Sequence, residues 1–521
     1  MFIKKLEIEN FRSIKHLIID PSNLCAIIGP NSSGKTNILK AIDLVLGEGW
    51  TTKAKIAREL FNDVSKPIKI VLFFDQPVDY TYSSKYGPKT LSVNSIELEM
   101  RLQPELFAKT TINNGGDFYG QEQFKKQCHF IYISSERQLT DELRVSEWTM
   151  LGKLMRLIYE NYISNKGDEE NLKNEFATKI KPAKEYLEND FDKNSITFKK
   201  FSDKFKKYCR GNSSGFATDF EPMLNIYNLN WFYKTLQINV FEGEENKNFN
   251  SEDVGAGVQN LLLISIFQTY AELMGGKVIF GIEEPEIYLY PNAQRALYNN
   301  LIGLSEETQI FYTTHNPNFL DASRPDDIQI IRKNKENGTY KFEKNIILTN
   351  SSSKNDKFEI YTHFNPERNE LFFANKVILV EGDSDKICFM TLCKEKWKLN
   401  LDQLGYSVIE CCGKSGVNYF VGVCQLVGQG NYFAIWDQDD KEYNPKNKDL
   451  LSEIKNSDHG LEISGNLEKF LGLSTTNDNK KVENAYNWAM NVEVVPEKFL
   501  VVKSFLESKS VAEVNPTKSK D

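Results

Sequence analysis

No apolar run in this 521-residue chain reaches the roughly 18 to 20 residues that cross a bilayer, so neither a membrane span nor a membrane partner is expected. The opening, MFIKKLEIENF, lacks the uninterrupted apolar core of a signal peptide, and a cytoplasmic location is expected. The eight cysteines contain no CxxC pair and have no histidine pair beside them at zinc spacing. They read as reduced thiols, several of them in cores. The net charge of -8 excludes a protein that coats nucleic acid along its whole surface. It leaves room for a local basic groove, and KNSITFKKFSDKFKKYCR (193–210) and KNKENGTYKFEK (333–344) are basic enough to line one or to form solvated faces. The charged segments around 145–225 contain no sustained heptads, which excludes a long coiled coil and leaves a short helical insert.

The chain exceeds the ceiling of roughly 250 to 300 residues for one hydrophobic core, so two or three domains are expected. Its first 45 residues read strand, turn, strand, loop, helix. Between the strand LCAIIG and the helix NILKAIDLVLG lies GPNSSGKT, Gly29 to Thr36, a full G-x-x-x-x-G-K-[ST] match in the context that motif demands. Gly29, Asn31 and Gly34 shape a loop whose amides curl around phosphates, Lys35 reaches the β and γ oxygens, and Thr36 ligates Mg²⁺. ATP is the expected cofactor.

Far downstream, KVIFGIEEPEIYLYP (277–291) delivers Glu283 and Glu284 to the C-terminal end of an apolar strand. There Glu283 would hold Mg²⁺ and Glu284 would polarise the water that attacks the γ-phosphate. SEDVGAGVQNLLLISIF (251–267) places Gly255 and Gly257 at the start of an apolar helix, and FYTTHNPNFL (311–320) offers His315 after a strand as a γ-phosphate sensor.

A second acidic system follows a polar stretch at 349–360. In KVILVEGDSDKICF (376–389) an apolar strand ends in Glu381, with Asp385 one helical turn beyond; Asp383 is read as shaping the turn. In NYFAIWDQDDKEYN (431–444) another strand ends in Asp437 and Asp439. Two strands of one α/β sheet that both end in carboxylates would bring Glu381, Asp437 and Asp439 to the same edge, and Asp385 and Glu468 of GNLEKFL extend the set. Oxygen-only ligands suit Mg²⁺ or Mn²⁺, with Ca²⁺ also admissible, and two such ions can activate a nucleophile and stabilise a leaving oxygen on a phosphodiester.

The order P-loop, glycine-rich helix start, EE-P-E and TTH-P resembles the head of ABC-type ATPases, in the branch of the RecF and SMC repair proteins. The opening IKKLEIENFRSIKHLIID resembles the start of that branch, and Arg137 after HFIYIS resembles one of its residues. The resemblance implies an ATP-sandwiching dimer completed by Gly255, Gly257 and Gln259. Ala256 stands where a serine contact is usual, and Tyr290 where many relatives have a histidine. VEGxxD followed by DxD is similar to the Toprim pattern.

Head and Toprim together resemble the overcoming-lysogenisation-defect (OLD) family. The expected fold is α/β: an ABC-type ATPase head at 1–145 and 226–350, a helical insert at 146–225 for dimerisation or clamping, and a Toprim domain at 365–521. The resemblance implies a bacterial, ATP-regulated endonuclease cutting DNA in anti-phage defence, as a homodimer or tetramer and in some members with a partner protein. It also implies a late basic residue, Lys498 or Lys503, that stabilises transition-state charge. RNA remains open as substrate, as does a RecF-like DNA-binding ATPase whose Toprim domain does not hydrolyse.

Overall fold

The computed structural model describes residues 2–135 apart from 48 and 50, and 238–341 apart from 243–246, 252, 275, 276, 322 and 323. It also describes 367–438 apart from 428, 449–508 apart from 456 and 474–479, and short pieces within 149–206, of which 169–188 is the longest. Two compact units divide the chain: Met1–Ser135 with Met274–Asp521, and Glu136–Leu273. The larger sheet and the smaller sheet described below both fall in the first unit. The expected insert at 146–225 lies largely outside the described residues; the helix Glu169–Glu188 belongs to it.

The first unit begins with β1 (Ile3–Phe11), β2 (Ile14–Ile19) and β3 (Leu24–Ile28), then helix α1 (Lys35–Leu46). The strands β4 (Ile68–Ser84), β5 (Gly87–Arg101), β6 (Phe107–Ile112), β7 (Gly116–Asp117) and β8 (His129–Ile133) follow. In β1 the residues Ile3, Leu6, Ile8 and Phe11 are buried while Lys4 and Glu9 face water, the alternation of a sheet covered on one face. The second unit holds the hairpin β9 (Asn239–Glu242) and β10 (Lys247–Asn250) and nearly all of helix α2 (Ala256–Met274). Returning to the first unit, the chain adds β11 (Val278–Glu283), α3 (Pro291–Leu304), β12 (Gln309–Thr313), β13 (Ile328–Asn334) and β14 (Gly338–Lys341).

One sheet takes all the first-unit strands named so far, in the order β7-β6-β5-β4-β1-β2-β14-β13-β3-β12-β11-β8. Its β7-to-β14 arm is antiparallel, whereas β13, β3, β12, β11 and β8 run parallel. The parallel strands β3, β11 and β12 are buried along their whole length, as strands covered on both faces must be. Helix α1 buries Ile38, Leu39, Ile42, Val45 and Leu46, and its core is continuous with that of the sheet.

A second sheet carries β15 (Lys376–Val380), β16 (Tyr406–Glu410), β17 (Tyr432–Asp437) and β18 (Gly460–Ile463), all parallel, in the order β16-β15-β17-β18. Helices α4 (Asp383–Thr391), α5 (Lys414–Val427), α6 (Lys481–Asn491) and α7 (Leu500–Glu507) accompany it. Phe389, Phe433, Ile435, Ala485, Ala489, Phe499 and Val502 form its core. Lys376 is the exception within β15: it is 1% exposed, and its Nζ donates to the carbonyls of Phe505 at 2.6 Å, Leu506 at 2.9 Å and Ser508 at 2.5 Å. That ammonium ties the C-terminal end of α7 to the central strand. No described helix is long and apolar enough to cross a membrane.

Candidate functional sites at two sheet edges

The first site lies at the C-terminal ends of β3, β11 and β12. Between β3 and α1 the chain reverses through Gly29 (φ +150°) and Gly34 (φ +103°). A Cβ on Gly29 would sit 2.1 Å from the Ile331 carbonyl oxygen, so only glycine closes this turn against β13. Asn31, Gly34, Lys35, Thr36, Glu283, Glu284 and His315 line one cleft of about 340 Å³, together with Ser135 and Lys333.

Lys35 is 7% exposed, and its Nζ donates to the carbonyls of Gly29 and Pro30, both at 3.0 Å. Burial pulls its pKa down to about 8, against the opposing pull of Glu284 and Glu283. The Glu283 Oε2 accepts from the Ser135 N–H and hydroxyl, each at 3.0 Å. Burial works against the charge on Glu283, yet hydrogen bonds from Ser135, Thr36 and Tyr132 prevail and hold its carboxyl below the usual range. Thr36 and Glu283 therefore stand in contact, the pairing needed to share one Mg²⁺ with a bound nucleotide.

Glu284 adopts φ +44°, a left-handed conformation that a non-glycine residue keeps only where its surroundings impose it, and its N–H donates to the Thr313 carbonyl at 2.9 Å. This aims the side chain into the cleft, 4.0 Å from His315 Nε2. Burial, and then the Lys35 charge, push the His315 pKa down to about 4. At neutral pH the ring is thus an uncharged hydrogen-bonding group.

Sequence reasoning gave no role to Glu286, the third acid of EE-P-E. It is 7% exposed, and its Oε1 accepts from the Thr314 hydroxyl at 2.5 Å. Burial raises its pKa to about 7, with the nearby Glu284 charge adding to the effect. The motif spelled out the residue; its raised pKa follows from burial that only the fold reveals.

In the other unit, Gly255 is exposed at the start of α2, while Gln259 is 6% exposed and donates through Nε2 to the Ser251 carbonyl at 3.3 Å. Gly257 lies in the first turn of the same helix. Arg137 lies outside the described residues.

The second site lies on the smaller sheet. In the order β16-β15-β17-β18 the connections reverse direction between β15 and β17, and the crevice beyond the C-terminal ends of two such strands is where α/β sheets bind ligands. Glu381 and Asp437 meet there: Glu381 Oε1 accepts from the Asp437 N–H at 2.7 Å. Asp385, 7% exposed, accepts from the Gly382 N–H at 3.1 Å. Its pKa is raised to about 7, chiefly by burial, with the charges of Glu381 and Glu468 adding to it. Glu468 is also 7% exposed, in the first turn of the short helix Leu467–Phe470. The fold thus brings Glu381, Asp385, Asp437 and Glu468 into one neighbourhood, while Asp439 lies outside the described residues. Among the described residues no three acidic, histidine or cysteine groups stand close enough to share one ion. The donors are nevertheless carboxylate oxygens that fit Mg²⁺, Mn²⁺ or Ca²⁺, and a bound cation would offset the Glu381 and Glu468 charges that add to the effect of burial on Asp385.

Two basic groups reach this edge. Lys414, at the first turn of α5, donates from Nζ to the Asp437 carbonyl at 2.8 Å. Its signal in the sequence was the Gly-Lys pair after the apolar strand YSVIE, in ECCGKSG, which went unread. Lys498 Nζ lies 3.3 Å from Ser464 Oγ, immediately after β18, whose Ile463 is paired with Asp437. Lys503 instead faces its own helix, with Nζ 3.6 Å from Glu507 Oε1.

A family model described as AAA ATPase domain matches residues 1–90 and 72–320. A second, described as the Toprim domain of overcoming lysogenization defect protein-like proteins, matches 372–439. The chain is 26% identical over 447 residues to an OLD nuclease of Thermus scotoductus, covering 82% of this chain and 80% of that one. It is 22% identical over 467 residues to the Old nuclease of Escherichia phage P2, covering 82% and 75%. It is 24% identical over 421 residues to the endonuclease GajA of Bacillus cereus, covering 76% and 68%.

Proposed function

We propose that this chain, which belongs to the AAA ATPase-domain family and to the OLD family of ATPase–Toprim proteins, is an ATP-regulated nuclease that cuts DNA by a two-metal mechanism. The observation that carries the nuclease reading is the meeting of Glu381 and Asp437, 2.7 Å from carboxylate to N–H, at the switch point of a parallel sheet. It sits in the same compact unit as a complete P-loop cleft.

At the first centre, Lys35 exchanges the carbonyls of Gly29 and Pro30 for the β and γ oxygens of ATP. Thr36 and Glu283 hold the nucleotide's cation, Glu284 orients the attacking water, and neutral His315 offers a hydrogen bond beside it. Gly255, Gly257 and Gln259 of a second copy close the pocket, which makes the working form a homodimer or a multiple of it.

At the second centre, Glu381, Asp385, Asp437, Asp439 and Glu468 would hold the cations, which would supply charge neutralisation at the scissile phosphate and a lowered pKa for the attacking water. Lys498, whose Nζ lies 3.3 Å from Ser464 Oγ just after β18, is the basic residue that meets developing charge, in preference to Lys503. Lys414 holds the Asp437 backbone through its carbonyl. Defence of a bacterial cell against phage, with or without a partner protein, is the biological setting that follows from the family.

Supercoiled DNA, linear DNA and RNA incubated with Mg²⁺, Mn²⁺ or Ca²⁺ test this reading. The parent chain cuts DNA and Glu381→Ala does not, while both hydrolyse ATP equally. A Glu381→Ala chain that cuts as well as the parent removes the assignment. A parent that cuts no nucleic acid leaves the DNA-binding ATPase reading instead.

A further inference from the structure

The two centres are joined through a short hydrogen-bonded path that neither reaction requires, with its middle links Arg368 and Asn369 buried. Two residues beyond His315 the chain enters the 3-10 turn Pro317–Phe319. The loop around it is tightly held: Asn316 N–H donates to Thr314 Oγ1 at 2.9 Å, Asn318 N–H donates to Asn316 Oδ1 at 2.9 Å, and the Tyr312 hydroxyl donates to the Phe319 carbonyl at 2.8 Å. A displacement of His315 is therefore carried along this loop as a unit rather than absorbed within it.

Asn369 reads that unit. Only 5% exposed, it donates from Nδ2 to the carbonyls of Pro317 at 2.9 Å and Leu320 at 3.3 Å. Its neighbour Arg368, 7% exposed, points the other way. Arg368 Nε donates to the Glu410 carbonyl at 2.9 Å, and Nη2 to Glu410 Oε2 at 2.7 Å. Nη2 also lies 2.7 Å from Cys412 Sγ. The loop so gripped ends at Gly413, whose N–H donates to the Glu381 carbonyl at 2.8 Å.

The geometry points to the pair Arg368–Asn369 as a positioning strut that links the loop of His315 to the backbone of Glu381, so that nucleotide state at the first centre sets the placement of the carboxylate at the second. This rests on the ATP-regulated nuclease reading above and adds the route of that control. A bidentate guanidinium and a doubly donating amide are directional, so a small rotation of the 3-10 turn is transmitted rather than lost. Coupling between two sites of one protein ordinarily changes the response by roughly 5- to 150-fold.

The experiment compares plasmid cleavage in Mg²⁺ with and without a non-hydrolysable ATP analogue, for the parent, Asn369→Ala and Arg368→Lys. ATP hydrolysis is measured in parallel. With the strut in place, the parent's cleavage changes on adding the analogue, whereas both variants keep their ATPase and their nucleotide-free cleavage within about twofold and lose the response. Variants that respond like the parent overturn the strut and leave nucleotide control standing. A parent that does not respond overturns control itself, and the strut with it. Arg368→Lys keeps the charge and removes the fork, so it decides the matter if Asn369→Ala fails to fold.

Discussion

Replacing Glu286 by glutamine removes a buried proton-binding group from the turn after β11 while keeping its shape. Glu286 is 7% exposed, holds the Thr314 hydroxyl and has its pKa raised from 4.5 to about 7 by burial. Between those values the folded chain keeps a proton that the unfolded chain has lost. Stability therefore falls as pH climbs through that window, and the penalty is complete above about 7. The interval of about two and a half pH units is worth roughly 3 kcal/mol in total, of which about 2 kcal/mol accumulates between pH 5.5 and 8.5. Glutamine does not titrate, so Glu286→Gln gains on the parent over that range. At roughly 1 to 2 °C per kcal/mol for a unit of this size, the difference in melting temperature between variant and parent widens by about 2 to 4 °C from pH 5.5 to 8.5. The His315 contribution, with a pKa of about 4, is shared by both chains and cancels. Any constant cost of the amide cancels as well. Differential scanning fluorimetry at the two pH values is the assay, and a melting difference that stays the same at both would falsify the neutral buried carboxyl.

Lys376→Met leaves the carbonyls of Phe505, Leu506 and Ser508 without their buried ammonium, and a loss of about 2 to 3 kcal/mol is expected, read first as faster amide hydrogen exchange in α7. Unchanged exchange at 500–507 would show that α7 does not depend on the cap. Lys414→Met frees the Asp437 carbonyl and is expected to lower cleavage by about 10- to 100-fold with ATP hydrolysis intact, measured as initial nicking rates. Equal nicking by parent and variant contradicts a role for Lys414 in holding that edge.

Much of this molecule is legible in the sequence where function demands fixed spacing. GPNSSGKT, EE-P-E and TTH each need a strand before a turn, and buried parallel strands are apolar along their whole length. VIFGI, KVILV and YFAIW therefore announce both their burial and the acids at their ends. Other residues escape because their meaning depends on partners far along the chain. Lys376 looks like the wet end of a strand until α7 folds back over it. Lys414 gains significance from a strand 18 residues later, and Asn369 from a loop 50 residues earlier. Lys498 and Lys503 are indistinguishable on helical spacing; the position of Ser464 separates them. The charge state of Glu286 is a property of enclosure, which no local pattern encodes.

The two acidic edges differ in their readiness for the proposed nucleotide control. Glu283 is held ionised by Ser135, Thr36 and Tyr132, so the first centre is electrostatically assembled before any ligand arrives. Asp385 is not: burial, Glu381 and Glu468 lift it to about 7, and its deprotonation and the arrival of a cation favour each other. An edge in that condition responds to small changes in where Glu381 lies, because the Glu381 charge is one of those that raise Asp385. A tenfold change in cleavage corresponds to only about 1.4 kcal/mol, which is the net worth of one or two hydrogen bonds. The two amide bonds of Asn369 and the fork of Arg368 are therefore large enough, without any wide domain movement, to set the activity of the second centre from the state of the first.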